Sequence, residues 1–124
     1  MNRAMDLLEI FRDSDALVAY PAGAIIIAEG AEGHLMYVVV QGEVRVSLKG
    51  KLLAIVGAGG IVGEMSLISP DIRSATVTAE TDCKLAAIDQ ASFESMLRHV
   101  PDFSMHVMNV LASRLQNAYD MIEP

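Results

Sequence analysis

The chain has little of what several protein classes require. Its 124 residues include a single cysteine, Cys83, which excludes an internal disulfide and a cysteine-rich zinc site. The chain has 9 Lys and Arg against 16 Asp and Glu, which gives a formal charge of −7. A negative net charge repels nucleic acid and anionic membranes, so we do not expect the chain to bind either through its overall electrostatic field. No stretch free of charged residues is long enough to span a bilayer, and the first residues lack the apolar core of a signal peptide.

The remaining composition is typical of one compact cytoplasmic domain. Hydrophobic residues make up 52% of the chain and the mean hydropathy is +0.38, so there is enough apolar material for a core. The histidines, His34, His99 and His106, include no His-x-His pair of the kind that metal-using β-barrels need. We therefore expect neither a bound metal nor a catalytic site.

Turn-forming residues recur at short intervals between positions 21 and 60 and separate runs rich in Val, Ile and Leu. This spacing is typical of a β-sandwich or barrel. The clearest strand, 43–48, alternates Val44, Val46 and Leu48 with polar side chains. Gly50 predicts a tight hairpin into a strand over 51–56. The other predicted strands are 24–28, 35–40, 74–79 and 83–88.

The two ends of the chain predict helices. Apolar spacing predicts a short helix over 3–11. Asp89 is a candidate N-cap for a helix over 90–99 that stops before Pro101, and a longer helix follows from 102 to about 122. In that helix five apolar residues follow a 3-4-3-4 spacing: Met108, Leu111, Leu115, Ala118 and Ile122. This stripe can pack on the β-strands or form a parallel contact with a second copy of the chain, and the sequence leaves both alternatives open.

Residues 59–77 hold the candidate binding site. Glycines precede a short apolar turn that begins at Glu64, and such a helix start offers free N–H donors to a phosphate. Arg73 begins the inward-facing row of the next strand, where a guanidinium is costly to bury unless an anion meets it. An ionised Glu64 only accepts hydrogen bonds, which suits sugar hydroxyls. The pattern indicates a sugar phosphate, and the alternative is that Arg73 and Glu64 pair with each other.

The flanking residues add a resemblance. Gly-Glu-Met-Ser-Leu at 63–67, followed by Arg-Ser-Ala-Thr-Val at 73–77, resembles the phosphate-binding cassette of cyclic-nucleotide-binding domains. That family includes the catabolite activators, the regulatory subunits of protein kinase A and the cyclic-nucleotide-gated channels. The likeness extends from Pro21 to the two closing helices. Two departures are Val62, where many members have Phe, and Ile72, where Pro is frequent.

The resemblance implies a fold that is mainly β: a double-stranded β-helix (jelly roll) with a short N-terminal helix and two C-terminal helices. The chain would be one domain, 1–124, with an N-terminal helical segment (1–20), a β-roll (21–88) that contains the cassette (59–77), and C-terminal helices (89–122). The implied nucleotide-binding residues are Gly63, Glu64, Met65, Ser66, Arg73 and Ser74.

The resemblance also implies a role for each of these residues. The backbone N–H groups of Gly63, Met65 and Ser66 would donate to the cyclic phosphate. Arg73 would neutralise the phosphate charge, and Ser74 would add a further donor. Glu64 would accept from the ribose 2′-hydroxyl, and an apolar side chain of the last helix (Val107, Leu111 or Leu115) would cover the base.

The implied function is a non-catalytic sensor that binds a 3′,5′-cyclic nucleotide, cAMP first and cGMP as the alternative, and that signals through movement of its C-terminal helices. A homodimer through the last helix is a possible assembly, with no nucleic-acid or membrane partner expected. Two alternatives stand beside this hypothesis. One is a ligand-free structural or oligomerisation module of the same fold, and the other is a regulatory fragment of a larger transcription factor or channel.

Overall fold

The computed structural model describes residues 10–11, 16–31, 33–64, 75–100 and 102–122, apart from the side chains of Ala118, Met121 and Ile122. These residues contain eight strands: β1 (Leu17–Tyr20), β2 (Ile25–Ile27), β3 (Met36–Gln41), β4 (Val44–Leu48), β5 (Lys51–Val56), β6 (Ile61–Val62), β7 (Thr76–Ala79) and β8 (Cys83–Ile88). Two helices follow, α1 (Gln90–His99) and α2 (Phe103–Ile122).

The strands form two four-stranded sheets in which every pairing is antiparallel. The first sheet has the order β1-β8-β3-β6 and the second has the order β2-β7-β4-β5. Most neighbours within a sheet are distant in sequence, so the chain passes repeatedly from one sheet to the other. This arrangement confirms the predicted jelly roll followed by two C-terminal helices.

The β4–β5 hairpin shows how the sequence directs this fold. Val44 and Val46 are buried while Arg45, between them, is partly exposed, as the alternation predicts. The turn residues Lys49 and Gly50 have φ angles of 51° and 80°, the two positive values that a tight hairpin turn requires. Glycine adopts such an angle without steric cost, which explains its place at the second turn position.

The core consists of two buried clusters, one on each side of the first sheet. The cluster between the two sheets contains Ile27, Tyr37, Val39, Val44, Val46, Val62, Val77, Ala79, Cys83 and Leu85. The cluster between the first sheet and the helices contains Met36, Val38, Ile61, Ala86, Ile88, Phe93, Phe103 and Val107. In the second cluster the rings of Phe93 and Phe103 meet edge to face with centroids 5.8 Å apart, so α1 and α2 are joined through this contact.

Helix α1 begins at the predicted N-cap. The backbone N–H of Ser92 donates to the Asp89 carboxylate at 2.8 Å, and this hydrogen bond lowers the pKa of Asp89 below its usual value. Helix α2 begins after Asp102, whose φ is 67°, and buries Phe103 and Val107 within its first two turns. Among the helices of the described residues, none is both long enough and apolar enough to cross a membrane.

The predicted strand 51–56, strand 83–88 and helix 90–99 have the observed bounds. Two strands were not predicted: β1, which lies in the segment 1–20 expected to be helical, and the two-residue β6. The N-terminal helix predicted over 3–11 lies outside the described residues except at positions 10 and 11, which are helical.

Candidate functional site

Glu64 lies two residues after β6, at the edge of the first sheet. Strand β6 pairs with β3 through Val62 opposite Tyr37 and Ile61 opposite Val38, so its backbone direction is fixed by the sheet. Gly63 has a φ of 79°, a value that glycine adopts without steric cost. The carboxylate that follows this bend is 0% exposed to solvent.

The cation that faces this buried carboxylate comes from helix α2. Arg114 donates one guanidinium N–H to Glu64 Oε1 and a second, from its other terminal nitrogen, to the backbone carbonyl of Ile61. The Arg114 side chain is 30% exposed, so it lies between the protein interior and water. A planar guanidinium can donate to both acceptors at once, so Arg114 fixes α2 to the end of β6.

The second carboxylate oxygen, Glu64 Oε2, is buried and has no hydrogen-bond partner among the described residues. Buried polar atoms in proteins almost always have such a partner, since leaving one unsatisfied costs about 1–3 kcal/mol. An acceptor of this kind suits a hydroxyl donor, which completes its hydrogen bonding without adding a second cation beside Arg114.

The position of Arg114 follows from how α2 packs. Phe103 and Val107 are buried in the cluster beneath the helices, and Val110 packs against the same cluster. Arg114 continues this 4-3-4 spacing, so it lies on the same side of α2, one turn beyond Val110. Arg114 was not among the site residues predicted from the sequence. The available signal was that it is the only Lys or Arg within helix 103–122 and shares a face with buried apolar residues.

The strand that follows the cassette, β7, is also held in place at its first residue, Thr76. The backbone N–H of Glu29 donates to Thr76 Oγ1 at 3.1 Å, and the Thr76 hydroxyl donates to Glu29 Oε1 at 3.0 Å. The same carboxylate accepts from the backbone N–H of Lys49 at 3.1 Å. Glu29 therefore joins the end of β2, the β4–β5 turn and the start of β7.

The predicted site residues fall into two groups. Gly63 and Glu64 are described, and Glu64 is buried beside α2. The remaining predicted site residues, Met65, Ser66, Arg73 and Ser74, lie outside the described residues. The inward-facing row predicted after Arg73 is confirmed at Val77 and Ala79, which are buried between the sheets.

Helix α2 bears on two expectations. In the alternative to a ligand site, Glu64 pairs with Arg73, which lies outside the described residues; the partner of Glu64 among the described residues is Arg114. The predicted stripe that includes Met108, Leu111 and Leu115 does not pack on the strands as a unit, because Leu111 packs against the core while Met108 and Leu115 are more than half exposed. Among the candidate lid residues, Val107 is buried in the core cluster.

The described residues contain no group of three His, Cys, Asp or Glu side chains placed to hold a metal ion. Cys83 is buried, and its thiol lies within hydrogen-bond distance of the carbonyls of Thr81 and Glu43, at 3.0 and 3.1 Å. The chemistry of the described site is therefore that of Glu64, Arg114 and the backbone around Gly63, which can bind and orient a polar ligand.

Similar proteins were found by sequence and by structure. Over 95 residues the chain is 37% identical to the Drosophila melanogaster cGMP-dependent protein kinase, isozyme 2, a match that covers 75% of this chain and 9% of the kinase. It is 35% identical to the cAMP-dependent protein kinase regulatory subunit of Schizosaccharomyces pombe, with 80% of this chain and 25% of that protein covered. The chain thus spans a quarter or less of the length of these two relatives.

Among solved structures, the catabolite activator protein of Thermus thermophilus superimposes with a TM-score of 0.73 at 30% identity, over 87% of this chain and 54% of that one. The family model for the cyclic nucleotide-binding domain matches residues 17–100, which run from β1 to the end of α1. The jelly roll, the buried glutamate after β6 and these matches together lead to one conclusion: the chain belongs to the cyclic nucleotide-binding domain family.

Proposed function

We propose that residues 1–124 form a non-catalytic sensor domain for a 3′,5′-cyclic nucleotide, with cAMP as the ligand. The observation that carries this proposal is the Glu64 carboxylate, which is fully buried, is held by Arg114 through one oxygen, and has no partner for its other oxygen among the described residues. A family relative named for cAMP and one named for cGMP support the ligand class.

In the proposed complex, Glu64 Oε2 accepts a hydrogen bond from the ribose 2′-hydroxyl. Arg114 engages the other oxygen, so the sugar does not compete with it for the same acceptor. A 2′-deoxy nucleotide lacks the donor and would leave the buried oxygen unsatisfied, which is a strong basis for discrimination. Glu64 would therefore select ribonucleotides over their deoxy analogues.

The phosphate end of the site is proposed from the cassette residues. The backbone N–H groups of Gly63, Met65 and Ser66, the Arg73 guanidinium and Ser74 would hold the cyclic phosphate. Support comes from the two described ends of this segment, since Glu64 is buried at one end and Thr76 is fixed by Glu29 at the other. A guanidinium matches a phosphate with two parallel hydrogen bonds, which a lysine cannot provide.

The proposed output is the position of helix α2. Arg114 fixes α2 to Glu64 and to the Ile61 carbonyl, so the same carboxylate contacts the sugar and the helix. A ligand shifts a conformational equilibrium only by its difference in affinity for the two states. The nucleotide would favour the arrangement in which α2 is docked, because in that arrangement Glu64 is held in place to receive the ribose.

Isothermal titration calorimetry with cAMP, cGMP and 2′-deoxy-cAMP tests the proposal on wild type, Glu64→Gln and the control Glu80→Gln. Glu80 is an exposed carboxylate that follows β7 in the second sheet and pairs with Arg45, so its substitution removes a surface charge. We expect wild type and the control to prefer cAMP over 2′-deoxy-cAMP, and Glu64→Gln to lose most of that preference. Equal affinities of wild type for the two ligands would contradict the role of Glu64.

A ligand-free structural module of the same fold is the competing function. Thermal unfolding with and without nucleotide separates the two, because a ligand at a hundred times its dissociation constant stabilises the folded state by about 2.7 kcal/mol. An unchanged melting temperature with both cAMP and cGMP at millimolar concentration would favour the structural module. A shift with cGMP alone would keep the sensor and change its ligand.

A further inference from the structure

The side chain of Glu29 lies where three parts of the second sheet meet. Glu29 follows β2 by two residues. The backbone N–H of Lys49, in the β4–β5 turn, donates to both oxygens of its carboxylate at 3.1 Å. The hydroxyl of Thr76, the first residue of β7, donates to Glu29 Oε1 at 3.0 Å. Glu29 Oε1 therefore accepts from a turn and from a strand that are distant in the sequence.

The contact between Glu29 and Thr76 runs in both directions. Besides donating its hydroxyl proton, Thr76 Oγ1 accepts from the backbone N–H of Glu29 at 3.1 Å. A hydroxyl that donates and accepts at once has a defined orientation, so the side chain of Thr76 is fixed. Within the described residues, Thr76 opposite Ser47 is also the pair at which the β4–β7 ladder begins. Glu29 therefore holds the chain at the point where the sheet ends.

This end of β7 connects directly to the cassette. Arg73 and Ser74 precede Thr76 by three and two residues. Consecutive Cα atoms are 3.8 Å apart, so the covalent chain keeps the Cα of Arg73 within about 11 Å of the Cα of Thr76. A binding group whose attachment point is fixed before the ligand arrives loses less conformational freedom on binding, and the ligand binds more tightly. The position of Thr76 would then affect the affinity for a phosphate held by Arg73 and Ser74.

We propose that Glu29 is a positioning residue for the phosphate end of the nucleotide site, an inference that rests on the proposed function. It acts through Thr76 and does not contact the ligand, because an ionised carboxylate cannot donate to a phosphate and is repelled by its charge. The two glutamates then have separate roles. Glu64 discriminates the sugar, and Glu29 raises the affinity for any cyclic nucleotide by fixing the segment that carries Arg73 and Ser74.

Isothermal titration calorimetry with cAMP and 2′-deoxy-cAMP separates the two roles. Glu29→Ala should weaken the binding of both nucleotides by about tenfold, the effect of one lost hydrogen bond to a charged group. The ratio of the two affinities should stay at the wild-type value, because it depends on Glu64. Glu29→Gln should bind nearly as wild type, since its amide oxygen, in the position of Oε1, still accepts from Lys49 and Thr76. The matched control is Glu43→Ala, which removes the same charge from an exposed glutamate and should leave both affinities unchanged.

Two further measurements keep the test decisive if circular dichroism shows that Glu29→Ala is poorly folded. Thr76→Val removes the hydroxyl and keeps the β-branched shape, so it should weaken the binding of both nucleotides to a similar degree. In the protein without nucleotide, hydrogen–deuterium exchange of a peptide that spans residues 73–79 should be faster in Thr76→Val and in Glu29→Ala than in Glu43→Ala. The exchange measurement does not depend on the proposed function.

The outcomes distinguish this inference from the proposed function. A wild-type chain that binds no cyclic nucleotide would overturn both. If wild type prefers cAMP over 2′-deoxy-cAMP and Glu29→Ala binds each of them as tightly as wild type does, only the role of Glu29 is overturned. The same holds if Glu29→Gln binds as weakly as Glu29→Ala, because the charge rather than the accepting oxygen would then be the cause. Loss of the preference for ribose in Glu29→Ala would contradict the separate roles of Glu29 and Glu64.

Discussion

Arg114 provides the sharpest test of how the site is built, because its replacement leaves Glu64 buried without the cation that it contacts. Arg114→Met keeps a long side chain of similar helix propensity and removes the charge. Breaking one side of a buried ion pair costs about 3–5 kcal/mol. Since Arg114 is 30% exposed and water can reach the vacated position, we expect the lower end, about 3 kcal/mol. For a chain of this size, that lowers the melting temperature by roughly 10 °C.

Urea unfolding of a double-mutant cycle measures the coupling. In Glu64→Gln/Arg114→Met the remaining buried group is a neutral amide, so the double variant should be more stable than Arg114→Met alone. Arg98→Met is the control, because Arg98 and Glu94 form an exposed pair with 3.8 Å between nitrogen and oxygen, worth less than about 0.5 kcal/mol. Two results would refute this reasoning. One is a double variant whose loss of unfolding free energy equals the sum of the two single losses, and the other is an Arg114→Met variant that is as stable as Arg98→Met.

Three further predictions concern stability. The pKa of Asp89 is lowered in the folded state, so the stabilising contribution of its carboxylate is present above the unfolded-state pKa of about 3.9 and is lost as the pH falls through the folded-state pKa. Asp89→Ala should therefore lower the melting temperature at pH 7, and the melting temperature of the variant should depend less on pH in the acid range. Calorimetry at several pH values measures both effects. Glu29→Ala removes the acceptor for the Lys49 N–H and the Thr76 hydroxyl and should cost about 1–3 kcal/mol in urea unfolding, whereas Glu29→Gln should lose less. Gly42 and Gly23 have similar positive φ angles, 88° and 90°, but an added Cβ would meet the backbone of Asp82 at Gly42 and open space at Gly23. Gly42→Ala should therefore destabilise the fold more than Gly23→Ala. Equal losses of stability in the two variants would contradict the steric argument.

The parts of the fold that could be predicted from sequence are those specified by local signals. Strand β4 alternates apolar and polar residues, the turn after it carries Gly50, and helix α1 has Asp89 as its cap. Strand β6 has no such signal. Its two residues are a strand because they pair with β3, more than twenty residues earlier in the chain, and no local pattern contains that information.

The residues of the site also divide into those that local sequence predicts and those that it does not. Gly63 and Glu64 were predicted because they lie within a few residues of each other in a segment that resembles the phosphate-binding cassette. Arg114 was not predicted because it lies 50 residues after Glu64 and reaches it only through the packing of α2 on the first sheet. The apolar stripe predicted on α2 packs on the core only in part, at Leu111, because two faces of the helix carry apolar residues and the sequence does not determine which one faces the core.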